Sequence, residues 1–140
     1  MDWSVIDQKL ESLRRALRRV EEKCPHDADT LANDVDAQDI LSLNLTRAVQ
    51  ICVDIGAHLV AGTELPPPDT MGHTFDVLTE AGMISADLAA RMKRAVGFRN
   101  VAVHNYEAMN WVMVYTIARV RVPDFEEFAK AVVTLRDRKQ

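Results

Sequence analysis

Residues 43–60 read LNLTRAVQICVDIGAHLV. Leu45, Val49, Cys52, Ile55 and Leu59 recur there at steps of 4, 3, 3 and 4, the period of a helix with one apolar face. Leu31, Val35 and Leu41 carry the same period upstream. The pattern predicts one helix from Asp27 or Asp29 to about Gly62, with a kink near residues 33–36. At ~1.5 Å per residue it would span roughly 50 Å, which is long for a chain of 140 residues.

The same period runs outward in both directions. Ile6, Leu10, Leu13, Leu17 and Val20 form a stripe on a first helix over about residues 3–23, with Arg14, Arg15, Arg18 and Arg19 largely off it. Pro25 ends that helix. Pro66-Pro67-Pro68 marks a stiff loop. A short helix over about 71–81 stops at Gly82, and Ser85 is the expected N-cap of a helix that Gly97 would end. Residues 98–106 and 111–120 follow, and Pro123-Asp124 would open a terminal helix with Phe125, Phe128, Val132 and Leu135. Residues 112–122 are rich in valine, a strand former, but lack hairpin turn signals. The expected fold is all-α, an antiparallel helical bundle in a single domain covering 1–140.

Composition narrows the function classes. With 48% hydrophobic residues and 5 each of Gly and Pro, the chain is neither disordered nor collagen-like. No uninterrupted apolar run reaches the ~18 residues of a membrane span, and Met1-Asp2-Trp3 does not begin a signal peptide. Cys24 and Cys52 match no zinc or redox spacing, so reduced thiols in a cytoplasmic protein are expected. The net charge of −4 is unevenly spread. Residues 24–90 hold eleven carboxylates and one cation, Arg47, whereas residues 91–140 hold ten cations and five carboxylates. Any nucleic-acid contact should therefore be local, while the acidic part repels nucleic acid or faces a basic protein.

None of His26, His58, His73 and His104 has a glutamate three residues before it, and no Cys-x-x-Cys, EF-hand loop or Gly-rich phosphate loop is present. No metal and no cofactor are expected. Asp54 and His58 are i, i+4 on one helix face, as either a surface hydrogen bond or part of a site. The densest polar cluster is Arg91, Lys93, Arg94, Arg99, Asn100, His104, Asn105 and Tyr106. Histidine moves protons near neutral pH, and guanidinium stabilises charge on phosphate, so Arg99 and His104 suit metal-free phosphodiester cleavage. Arg91, Lys93 and Arg94 would hold RNA. The residue types alone favour a solvated basic helix end. Five residues on a straight helix turn through about 140°, so Arg99 and His104 cannot both face one phosphate from one straight helix; either the helix is distorted there or another molecule completes the site. A two-fold dimer would bring two copies of each into one cleft.

Arg99-Asn100-Val101-Ala102-Val103-His104-Asn105-Tyr106 resembles the R-x4-H-x-Y motif of HEPN-domain toxins of the HepT type. Residues 43–60 resemble that family's long second helix, and ELPPPDTMGHTFDVLTEAGMIS (64–85) resembles its proline loop and short helix. The resemblance covers about residues 40–135, with the first helix agreeing only in character. Val101 departs from relatives that often carry a larger or basic side chain there. The resemblance implies a homodimeric ribonuclease toxin of a type II-like HEPN/MNT toxin–antitoxin system. Its partner would be a nucleotidyltransferase antitoxin of the MNT type. Arg99 and His104 would be catalytic, Asn100 supporting, and Tyr106 the residue that receives AMP; Asp54 is a further candidate support. Some HEPN domains instead bind nucleotides or proteins without cleaving RNA, which is the alternative reading. A purely structural dimerisation bundle is a third.

Overall fold

In the computed structural model, which describes residues 1–139, the first six helices each begin at an oxygen-bearing side chain that caps free backbone N–H groups. Asp2 caps α1 (Trp3–Lys23), Asp27 caps α2 (Ala28–Ala32), and Asp34 caps α3 (Val35–Ala61). Thr70 caps α4 (Met71–Glu80), Ser85 caps α5 (Ala86–His104), and Asn110 caps α6 (Trp111–Thr116). A π-helical turn, Ile117–Arg121, joins α6 to α7 (Val122–Lys139) without a break. Among the described residues there is no strand, and the expected all-α bundle is the fold observed.

Three boundaries differ from the sequence reading. The long second helix is two helices, because Asp34 caps a new start and the backbone leaves the helix at Asn33–Asp34. Gly97 does not end α5; the helix runs seven residues further, to His104. Pro123 does not open the terminal helix either. It lacks an N–H, but the wider π turn just before it absorbs the missing bond and the helix continues. Gly82, by contrast, takes a left-handed φ of 74° and does stop α4.

The buried face of α1 (Ile6, Leu13, Leu17, Val20) packs on that of α3 (Leu41, Leu45, Ala48, Cys52, Ile55). The helices are antiparallel, with Lys9 paired to Asp54 at 3.6 Å and the Pro25 turn at the other end. α3 is long and apolar enough to cross a membrane by length and composition, but here that apolar surface forms the core. α4 crosses α3 at Gly56, where an added Cβ would meet Thr74 Cγ2 at 2.6 Å and Leu78 Cδ1 at 3.2 Å. Phe75 of α4 meets Phe128 of α7 edge to face at 5.7 Å, closing the bundle.

Candidate functional site

The site forms where α5 ends. The Asn105 N–H still bonds Val101 O at 2.8 Å, but its φ of −152° and ψ of 62° take the chain off the helix axis. A 3₁₀ turn, Tyr106–Ala108, follows, and Asn110 starts α6. This bend swings Tyr106 across to α3. Its hydroxyl donates to Asp39 Oδ1 at 2.8 Å, and its ring meets Trp111 edge-on at 5.8 Å. Burial pushes the Tyr106 phenol above its usual range, and the bond to Asp39 adds to this, while the Ser42 hydroxyl acts the other way. The phenol is therefore neutral at pH 7.

Arg99 and His104 both lie on regular α5, so their side chains leave the axis about 140° apart. Arg99 is half-buried on the inner side; His104 is exposed on the outer side. Arg99 Nη1 donates to Asn100 Oδ1 at 3.2 Å, which orients the guanidinium. Arg99 Nε is buried with no partner, and so is Ser42 Oγ. These are the two such side-chain atoms among the described residues, and they lie on helices that pack together, α5 and α3.

The three cations upstream divide differently. Arg91 bonds Asp124 Oδ1 at 2.7 Å and Glu127 Oε2 at 2.8 Å, and also Asp87, tying α5 to α7. Lys93 pairs with Asp76 of α4 at 3.0 Å. Of these three, Arg94 is exposed and has no ion pair among the described residues. It stands at the rim of an apolar cleft of about 660 Å³ walled by Phe98, Met109, Met113, Ile117 and Phe125, with Arg121 also on its lining. Val101 and Met113 on its lining are exposed, as are Val112 on α6 and Val120 on the π turn.

Asp54 is not brought to this site. It lies about 22 Å along α3 from Asp39, accepts from Gln50 Nε2 at 2.9 Å and pairs with Lys9. It makes no hydrogen bond to His58. Asp39, Ser42 and Trp111 are the neighbours that sequence reasoning missed. Asp39 lies 67 residues before Tyr106 in no motif, so no local signal announces it. Among the described residues, no three of His, Cys, Asp and Glu converge as metal ligands.

Residues 3–132 match the family model described as Ribonuclease HepT-like. The chain belongs to the HepT-like family. Over 128 residues this HepT-like chain is 29% identical to the mRNA nuclease HepT of Shewanella oneidensis, covering 91% of this chain and 96% of that one. Its fold superposes with a TM-score of 0.88 on a toxin–antitoxin crystal structure with AMP-PNP, at 27% identity, covering 94% of this chain and 98% of that one. It superposes at 0.87, with 28% identity, on a tri-AMPylated HEPN toxin of Shewanella oneidensis in complex with an MNT antitoxin, covering 93% and 97%.

Proposed function

We propose that this HepT-like chain is a toxin whose homodimer cleaves RNA without a metal, and that an MNT-type nucleotidyltransferase antitoxin silences it by adding AMP to Tyr106. The observation that carries the dimer is Gly97. It sits in the middle of α5, where glycine costs about 1 kcal/mol relative to alanine. Nothing in its own chain lies within 4 Å of where a Cβ would be. We read that open space as room for a neighbour outside the protomer. Gly97, Asn100, Val101 and His104 share the outer face of α5, beside the apolar cleft on whose lining Val101 and Met113 are exposed. A second copy docked there would cover apolar surface and bring the two His104 side chains into one cleft, which each Arg99 would have to reach from the flank of its own helix.

In such a cleft the 2′-oxygen of RNA forms a bond to the adjacent phosphorus. One imidazole takes the 2′ proton. The bond to the 5′-oxygen of the next nucleotide breaks, and the partner's imidazolium protonates the leaving oxygen. Arg99, oriented by Asn100, stabilises charge on the phosphorane. The products are a 2′,3′-cyclic phosphate and a 5′-hydroxyl. Tyr106, neutral and 38% exposed, stands close enough to this end of α5 that AMP on its oxygen would place a nucleotide over the cleft. The nuclease and AMPylated relatives support this reading. The test is incubation of the purified chain with RNA and with DNA of the same sequence in EDTA. Cleavage of RNA alone, ending in cyclic phosphate, is expected; RNA left intact, or cleaved only with added metal, overturns it.

A further inference from the structure

The arginines of α1 that stand off its apolar stripe meet the lone cation of the acidic middle of the chain. Ser12, Arg15 and Arg19 recur at i, i+3 and i+7 on α1. Asn44, Arg47 and Ile51 recur at the same spacing on α3. The two rows line a groove of about 310 Å³, and no carboxylate is among its lining residues.

The charge there is largely free. Arg15 approaches Glu11 at only 3.7 Å, and Glu11 is already held closely by Arg14. Arg19 approaches Glu22 at 3.7 Å, and Arg47 has no ion pair among the described residues. Exposed pairs of this kind hold charge weakly, unlike the short bonds of Arg91 to Asp124 and Glu127. Ser12 Oγ accepts from Arg15 Nη2 at 3.2 Å and steadies its fork. Asn44 donates its Nδ2 to Ile40 O at 2.9 Å.

The groove also has a direction. Seven residues on each helix give it a length of about 10 Å, too long for one phosphate and suited to a succession of them. Beyond it, Arg47, Leu43 and Asp39 are four residues apart on α3 and share one face for about 12 Å. Leu43 is 50% exposed, and Asp39 holds the Tyr106 hydroxyl. A strand seated in the groove could thus continue along α3 to the candidate site.

We propose that the α1–α3 groove is a phosphate-backbone subsite for single-stranded RNA, gripping the substrate away from the cleavage point through Arg15, Arg19 and Arg47. Guanidinium forks match phosphate oxygens, and such contacts position a strand without reading its bases. The inference rests on the ribonuclease reading above, and binding is measured separately from turnover for that reason.

The experiment uses a fluorescein-labelled 12-nucleotide oligouridylate and fluorescence anisotropy across a NaCl series. The parent is His104→Ala, which blocks turnover. Adding Arg15→Gln, Arg19→Gln and Arg47→Gln should weaken binding about 10–100-fold at 0.1 M salt. The slope of log K against log salt should become shallower by about 2, at ~0.7 per phosphate contact. Arg47→Gln alone should lower it by ~0.7, which keeps the test readable should the triple variant misfold by circular dichroism. With His104 intact, the triple variant should raise KM for a long RNA while sparing kcat. Unchanged affinity and slope overturn the subsite, whether or not the protein cleaves RNA. Altered binding with no cleavage by the unsubstituted chain keeps the subsite and sinks only the nuclease reading. An unchanged RNA slope with lost binding to an MNT-type antitoxin also overturns it and assigns the groove to an acidic protein surface.

Discussion

At the scale of single residues, the site separates chemistry from scaffolding. His104→Ala and Arg99→Ala should each reduce RNA cleavage about 10²–10⁴-fold, the range for a lost proton-transfer or charge-stabilising group, with unchanged circular dichroism. Full activity in His104→Ala would remove the mechanism. Asp54→Ala should leave cleavage unchanged, because Asp54 is bonded to Gln50 and Lys9 far along α3. Tyr106→Phe should gain no AMP mass after incubation with an MNT-type antitoxin, ATP and Mg²⁺. The unsubstituted chain should gain it. Tyr115 should stay unmodified, since its hydroxyl donates to His26 O at 2.7 Å and Arg119 stands over its ring.

At the scale of elements, two ties set how α5 is held. Arg91 links it to α7, and removing Arg91 leaves the 7%-exposed Asp124 without its strongest partner. Arg91→Ala should therefore lose about 2 kcal/mol of stability, read from urea unfolding. The pH dependence follows from Glu127, whose carboxyl Arg91 holds below the ordinary value near 4.5. A depressed folded value means its stabilising contribution is complete above the unfolded pKa. It disappears as pH falls through the folded one. The stability gap between the unsubstituted chain and Glu127→Gln should thus be present at pH 6 and vanish in acid; a gap that widened in acid would contradict the pairing. At the α3–α4 crossing, Gly56→Ala should lower Tm, since crowding of Thr74 and Leu78, typically 1–3 kcal/mol, outweighs the ~1 kcal/mol gain in helix propensity.

At the scale of the whole molecule, Gly97 and Gly56 make opposite predictions. Gly97→Ala meets nothing in its own chain and should stabilise a protomer by up to ~1 kcal/mol. Gly97→Arg should be tolerated by the protomer yet give a monomer in sedimentation equilibrium, and that monomer should not cleave RNA. A Gly97→Arg dimer with full activity would place the two-fold axis elsewhere.

Much of the molecule was legible in the chain itself, because it depends on contacts between near neighbours. The apolar period of residues 43–60, the cap Ser85, and the break at Gly82 each act within a few residues, so fold class and most helix starts follow directly. The R-x4-H-x-Y spacing likewise sits in one short segment. What needed the tertiary structure are the interactions that span long separations. Gly97 read as a helix end and Pro123 as a helix start, but α5 continues through the first and the π turn leads the helix through the second. Asp39 reaches Tyr106 from 67 residues away, and Arg47 meets Arg15 and Arg19 from another helix. Arg91 and Lys93 read as free cations until Asp124, Glu127 and Asp76 arrived from α7 and α4. Local steric preference is written residue by residue, whereas which charges are left free depends on what folding places beside them.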